Sequence, residues 1–351
     1  MRVLYFGTYE QDYPRNAQVI SCLRRAGVEV VERHEPVWEG REPKWRAGAG
    51  AAARLLRAEA RLLRRPAGRF DAVIVGYPGH LDLPAARRAA RGAPVVLNPL
   101  VSLWDTFVED RRRFRSGSLP ARALRRLDRA VLRGADLVVA DTEANAAFLA
   151  ELAGLPRRRV ASVLVGAEER LFTPPWEPHD PPVFVGKLIP LHGLETILEA
   201  ARRRPSLALR VVGSGQLEPL LGRRPGNVEW IPWVEYRRLP ALLRGAACAL
   251  GIFGRSAKAA RVIPNKAFQA LACGTPLVTA DTAAARELLV DEDSALLVRP
   301  GDPEALADAL VRVTTDSQLA ARLSARGLDT YRAHASEEVL GARWRALLDS
   351  L

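Results

Sequence analysis

The chain has 351 residues, 48% of them hydrophobic, enough to bury a large core and better divided between two domains than held in one. Its net charge of +12 comes without a helix-turn-helix, zinc-finger or aromatic RNA-binding signature, which argues against a nucleic-acid partner, and no run approaches the ~20 apolar residues of a spanning helix. Three cysteines, Cys22, Cys248 and Cys273, lie in apolar or helical contexts without CxxC or His-Cys spacing and read as buried thiols of a reducing compartment, not as a metal site.

In chain order, strand-like runs at 3–6, 28–31, 72–75, 95–97, 137–140 and 162–165 alternate with helical patterns, which predicts a parallel, doubly wound sheet. The opening MRVLYFG reads as the first strand without the apolar length of a signal peptide, so the expected location is the cytoplasm. Charge is uneven: residues 1–170 hold 30 Lys/Arg against 20 Asp/Glu, a net +10, whereas 171–351 hold a net +2. The pattern RLLRAEARLLRR at 54–65 follows Trp45 and is amphipathic. It predicts either a solvated face or one resting on an anionic acceptor or, peripherally, on the inner face of the membrane.

Residues 171–182 carry Pro174, Pro175, Pro178, Pro181 and Pro182, too many for a helix or a central strand, and read as a linker. They separate an N-terminal domain over 1–170 from a C-terminal domain over 183–335, with a helix at 336–351 that can pack back towards the first domain. The second domain restarts with strands at 183–185, 208–212, 228–231, 248–252, 277–280 and 295–298, and helices at 303–313 and 336–348 complete it.

Within it the stretch 253–289 is the most informative. A helix opens on Pro264-Asn265-Lys266 and closes at Gly274, followed by the strand at 277–280 and a further helix. The free N–H groups of such a helix start, beside a lysine, make an anion site. Lysine is scarce here, with only Lys44, Lys187, Lys258 and Lys266, and two of the four stand where α/β folds bind ligands.

Two facing doubly wound domains would place a cleft between the carboxyl ends of both sheets. The loops expected there are Gly7-Thr8-Tyr9, the turn from Gly76 to His80, Gly186 to Gly193, Gly213-Ser214-Gly215, Gly254-Arg255 and the approach to Lys266. No GxGxxG follows the first strand and no GxxxxGK[ST], GxSxG or HExxH occurs, which argues against a dinucleotide oxidoreductase, a P-loop NTPase, a hydrolase of that type and a zinc protease.

Over nearly its whole length, and most strongly in VGKLIPLHGLETILEA, LRVVGSGQLEPLL and NKAFQALACGTPLVTADTAAARELL, the chain resembles the GT-B glycosyltransferases of family 4. The segments RRLDRAVLRGADLVVADTEANAAFL and VLVGAEERLFTP carry the same resemblance into the first half. It implies an α/β, GT-B architecture of two Rossmann-like domains. The implied activity is retaining transfer of a hexosyl group, in carbohydrate biosynthesis, from a nucleotide-diphosphate sugar to a small-molecule, glycan or lipid-linked acceptor.

The resemblance also implies site residues. Lys187 and His192, after Gly186, hold the donor phosphates, with Lys266 and the helix start at Asn265 and Ala267 adding to the charge. Gly213, Ser214 and Gly215 lie by the nucleotide base, Gly7 and Thr8 approach the diphosphate and acceptor, and His80 reaches the transferred sugar. His80, Lys187 and Lys266 are the expected catalytic group. Arg261 and Gln269 occupy the places of two glutamates that the family turns to the donor sugar and the ribose; Gln269 can still accept a hydrogen bond, and Arg261 cannot.

Arg255 and Lys258 are further phosphate candidates, and Asp12, Arg15, Asp105 and Arg111 are acceptor candidates. Asp291-Glu292-Asp293 falls in a turn, so neither a metal nor any other cofactor is expected. The replaced glutamates also suit a second reading, a non-catalytic protein of the same fold that binds sugar nucleotides, polyanions or a membrane surface.

Overall fold

The computed structural model describes residues 1–11, 13–37, 49–64 and 68–351, so Asp12, Lys44, Trp45 and Arg65 lie outside the described residues. By contact the chain forms two units: Met1–Val108, Arg113–Val165 and Glu337–Leu351 make one, and Glu109–Arg112 with Gly166–Ser336 the other.

The first unit runs β1 (Arg2–Gly7), α1 (Pro14–Arg25), β2 (Glu29–His34), α2 (Ala49–Leu62), β3 (Ala72–Val75), α3 (Leu83–Ala90), β4 (Val95–Leu97), α4 (Leu119–Gly134), β5 (Leu137–Ala140), α5 (Glu143–Ala153) and β6 (Val160–Ser162). Its strands lie parallel in the order β2-β1-β3-β4-β5-β6. The central β3, β4 and β5 are buried at every residue, which is why they read as continuous apolar runs and not as alternations. Strand order reverses between β1 and β3, the topological switch point where open α/β sheets leave a crevice.

The second unit runs β7 (Val183–Val185), α6 (Leu194–Arg203), β8 (Leu209–Val212), β9 (Val228–Ile231), α7 (Leu239–Gly245), β10 (Ala249–Leu250), α8 (Asn265–Ala272), β11 (Leu277–Ala280), β12 (Leu296–Val298), α9 (Pro303–Thr315) and α10 (Ser317–His334). Its parallel order, β12-β11-β10-β7-β8-β9, reverses between β7 and β10. The last helix, α11 (Glu337–Asp349), belongs to the first unit: Ser21 Oγ donates to Glu337 Oε2 at 3.0 Å, and Arg345 donates to the carbonyl of Ala26 at 3.1 Å.

Four local readings of the sequence differ from the structure. The run at 162–165 is shifted, since β6 ends at Ser162 and Val163 and Leu164 give their carbonyls to the guanidinium of Arg15 instead of to a strand. No full helix follows β11, only the single turn Ala285–Glu287. The 18-residue α10 was absent from the pattern, its periodicity interrupted by Gly327, whose missing side chain makes room for Leu271 and the Ser294 carbonyl. Pro264 is the extended residue before α8, which begins at Asn265.

Candidate functional site

In the second unit the loops leaving β7 and β10 flank the switch point, and both are shaped by close backbone packing. The loop after β7 is laced to that after β8: Gly186 N–H donates to Val212, Leu188 N–H to Ser214, and Leu217 N–H to Leu188, each at 2.9 Å. A Cβ on Gly213 would stand 1.9 Å from the Gly186 carbonyl oxygen, so only glycine permits this approach. Ser214 and Lys187 are exposed on these loops, and Phe253 N–H, beyond β10, donates to the His192 carbonyl at 3.1 Å.

Three groups converge over the ring of Phe184 in β7. Lys266, at the start of α8 and only 8% exposed, holds its Nζ 3.6 Å from the ring centroid, and among the described residues no group accepts a hydrogen bond from it. The His192 ring meets Phe184 edge-on at 5.6 Å. Gly186, at φ +150°, leaves the gap between them: a Cβ there would lie 2.7 Å from Lys266 Nζ and 3.3 Å from His192 Cε1.

Burial pushes the Lys266 ammonium well below its usual range. Burial, then the neighbouring charge of Lys266, pushes His192 well below its own, so the free protein carries His192 neutral at pH 7. Its Nδ1 faces the Lys187 carbonyl and therefore carries the proton, leaving a lone pair on Nε2. The ring offers an acceptor where a positive or donating group was expected. A buried lysine over an aromatic face, at a helix start and without a hydrogen-bond acceptor among the described residues, can take an anion as its partner.

The remaining residues expected in this unit surround that point. Ala267 N–H is already bonded to Pro264 O at 2.9 Å, so the helix start offers fewer donors than its sequence suggests. Asn265 is the first residue of α8, and Arg261, half-buried, ends the turn Ala259–Arg261 before it. Gln269 follows Lys266 by three positions and shares its helix face. Its Nε2 donates to Tyr236 Oη at 3.3 Å, and Tyr236 donates to Glu168 Oε1 at 3.0 Å, a carboxylate paired with Arg170 at 2.9 Å. Tyr236 and Glu168 were not singled out from sequence, because their partners lie 33 and 68 positions away.

In the first unit the corresponding switch point is occupied by the protein itself. Asp82, 1% exposed, accepts from Thr8 N–H at 2.7 Å and from Thr8 Oγ1 at 3.0 Å, taking up both donors expected to meet a ligand beside Gly7. Glu59 of α2 shares this carboxylate; burial and the hydrogen bond to Asp82 push its pKa up to about 9, so at pH 7 the pair holds one proton.

His80 is fastened at both nitrogens, Nδ1 lying 2.5 Å from Pro78 O and Nε2 3.3 Å from Asp128 Oδ1. Asp128 is fully buried; burial alone would raise its pKa, but His80, Ser102 and the Trp104 amide together hold it below the usual carboxylate range. Arg15, expected to face an acceptor, is instead fully buried, bonded to Asn98 Oδ1 at 2.9 Å and to the carbonyls of Val163 and Leu164, with Trp344 beside its guanidinium. Asp105 is likewise buried. Among the described residues no group of three or more His, Cys, Asp or Glu is placed to hold a metal ion, and no helix is long and apolar enough to cross a membrane.

Comparison with known proteins agrees with the two-unit fold. Residues 2–166 match the glycosyl transferase 4-like domain and residues 182–316 the glycosyl transferases group 1. Among curated relatives, the lipopolysaccharide core biosynthesis glycosyltransferase LpsE of Rhizobium meliloti is 27% identical over 62% of this chain. The chain spans 65% of that protein's length, and between 33% and 54% of three others. Among solved structures, sucrose-phosphate synthase from Thermosynechococcus elongatus superposes with a TM-score of 0.76 at 17% identity, covering 99% of this chain and 98% of that one. HepE of Anabaena, in complex with UDP-glucose, superposes with a TM-score of 0.72 at 15% identity over the whole of both chains. Matched over most of its length and sharing their two doubly wound sheets, the chain belongs to the group 1 glycosyl transferases of family 4, with the GT-B fold.

Proposed function

We propose that this protein transfers a glycosyl group from a nucleoside-diphosphate sugar with retention of anomeric configuration and without a metal ion. The observation that carries the reading is the buried ammonium of Lys266 at the switch point of the second unit, without a hydrogen-bond partner among the described residues. A departing diphosphate gains negative charge as its bond to the anomeric carbon breaks, and a cation already stripped of water stabilises that charge more than an exposed one. Lys187, exposed on the facing loop, and Arg261 before α8 add screening charge. The acceptor oxygen bonds to the anomeric carbon on the face that the diphosphate leaves, and its proton passes to a phosphate oxygen. No protein nucleophile is then needed. HepE, of the same fold, is seen with UDP-glucose, which supports a nucleotide sugar as donor.

The fixed contacts of His80 suit a residue that shapes the loop after β3, carrying Asp128 and through it the Ser102–Trp104 backbone. A thermal-shift panel of UDP, GDP, ADP, dTDP and CDP without metal tests the donor site. A ligand at about 100 times its dissociation constant adds roughly 2.7 kcal/mol. Stabilisation by one nucleotide that Lys266→Ala abolishes supports the reading, and none with any nucleotide overturns it. Turnover with the matching sugar nucleotide, and the anomeric configuration of the product, then test transfer and retention.

Peripheral contact with an anionic membrane fits α4 better than the arginine-rich stretch at 54–65. Arg122, Arg125, Arg126 and Arg129 are exposed at helical spacing along it, and Leu119, 79% exposed, stands at its start. The acidic residue of this helix, Asp128, is fully buried and engaged by His80 and Ser102, so no exposed acid on the helix neutralises the stripe. In α2, by contrast, Arg61 is paired with Glu35. A lipid-linked acceptor would be met at such a surface.

A further inference from the structure

The two loops that flank the switch point of the first unit, after β1 and after β3, bring a pair of tyrosines together. Tyr77 follows β3 by two residues, and Tyr13 stands immediately before α1. Their ring centroids are 4.7 Å apart with the planes inclined at 35°, a tilted stack and not an edge-on contact. Asn16, fully buried in the first turn of α1, fastens the pair: its Oδ1 accepts from Tyr77 N–H at 2.9 Å, and its Nδ2 donates to the carbonyls of Tyr77 and Glu10, each at 2.9 Å. The buried Tyr5 hydroxyl donates to the same Oδ1 at 2.9 Å and so fixes which way the carboxamide points. Tyr13 and Tyr77 are half-buried, whereas Tyr5 and Tyr9 of the same unit are fully buried, so the pair belongs to the mouth of the crevice and not to the core.

The polar groups beside this pair are acidic or already engaged. Burial, then Tyr77, Glu10 and Asp141, push the Tyr13 hydroxyl well above its usual range, which keeps it a neutral donor. Arg15, two residues on, is spent on Asn98 Oδ1 and the carbonyls of Val163 and Leu164, and Thr8 is spent on Asp82. What the two loops still offer a ligand is aromatic surface.

We infer that Tyr13 and Tyr77 form a platform for the acceptor, and that the acceptor presents an uncharged pyranose ring to it. The inference rests on the glycosyl-transfer reading and deepens it. The C–H face of a pyranose packs against the negative face of an aromatic ring, and its hydroxyls can donate to carboxylates such as Glu10. A phosphorylated or acidic ring would instead meet the like charges of Glu10 and Asp141, with the Arg15 guanidinium already engaged.

The test is saturation-transfer NMR titration of the full chain, with and without UDP, GDP or ADP, using the methyl glycosides of glucose, galactose and mannose beside the 6-phosphates of the same sugars. At least one neutral glycoside should bind, roughly tenfold more tightly than its 6-phosphate. Tyr13→Leu and Tyr77→Leu, which stay apolar but lose the π face, should each weaken that binding by roughly tenfold, and Tyr77→Phe should retain it. Nucleotide affinity should be the same in every variant. Where a leucine variant does not fold, saturating the tyrosine ring protons of a wild-type chain deuterated elsewhere decides: transfer to the sugar is expected, and its absence overturns the inference. A wild type that binds no sugar, or binds the phosphates as tightly, overturns the inference and leaves the donor site standing. So do folded leucine variants with unchanged sugar affinity. Folded leucine variants that lose nucleotide instead assign the rings to the nucleotide and also overturn it. A wild type that binds sugar but no nucleoside diphosphate overturns the transfer reading and leaves a sugar site.

Discussion

Lys266 holds its Nζ 3.6 Å from the centroid of the Phe184 ring in a gap that exists because residue 186 has no side chain. The cation has exchanged water for an aromatic face, which returns only part of the lost hydration. Gly186→Ala would set a methyl 2.7 Å from Nζ at a φ of +150°. The expected result is a strain of order 1–3 kcal/mol and a loss of nucleotide affinity of at least tenfold. Thermal unfolding with and without nucleotide separates the two effects. An alanine variant that is merely less stable, with unchanged nucleotide affinity, would show that the gap has no part in binding.

Binding should take up protons. In the free protein both Lys266 and His192 are pushed well below their usual ranges, and a bound diphosphate favours the charged form of each. Affinity therefore rises as pH falls through the interval between the free and bound values. Calorimetry at one pH in buffers of different ionisation enthalpy measures the uptake directly, and zero uptake or release contradicts the geometry. Without ligand the depressed Lys266 makes the fold more stable as pH rises towards 10.5, lysine's ordinary value, and the lost stability appears as pH falls through the folded value. Lys266→Met should flatten that dependence.

Much of the architecture was legible because central parallel strands are buried on both faces, so that 72–75, 95–97, 137–140 and 277–280 announce themselves as unbroken apolar runs. The same rule misled at 163–165, buried residues of which Val163 and Leu164 turn their carbonyls to Arg15 and not to a strand. Lys266 could be found from the rarity of lysine and its place at a helix start. Asp82 on Thr8, Arg15 under β5 and β6, and Tyr236 on Gln269 could not, since each pairing spans tens of positions and depends on the sheet being assembled. His192 was located, but its neutrality was not readable: it follows from burial and from Lys266, 74 positions on.

The shared proton of Glu59 and Asp82 ties the first unit to pH. Glu59 titrates at about 9 when folded against 4.5 ordinarily, so the folded state keeps a proton that the unfolded chain releases between those values. The stability from this pair is complete below pH 4.5 and lost as pH rises through 9. Glu59→Gln donates to Asp82 at every pH and should remove the decline. Urea midpoints from pH 5 to 9 give the comparison; parallel curves for wild type and variant would mean that the two carboxyls do not share a proton.

The stripe on α4 makes a prediction independent of donor chemistry. Near an anionic surface each arginine contributes about 1 kcal/mol, so replacing Arg122, Arg126 and Arg129 together with glutamine should weaken binding to phosphatidylserine-containing vesicles by roughly two orders of magnitude. These side chains are exposed and have no ion-pair partner among the described residues, so the fold should tolerate the change. Sedimentation with vesicles at low and high salt gives both the affinity and its screening. Binding that persists at 1 M salt, where the screening length falls to about 3 Å, would assign the contact to apolar insertion at Leu119 and not to the arginines. The charge reading requires the opposite: loss with salt, loss in the triple variant, and unchanged nucleotide affinity, because α4 is remote in sequence from every element that shapes the Lys266 site.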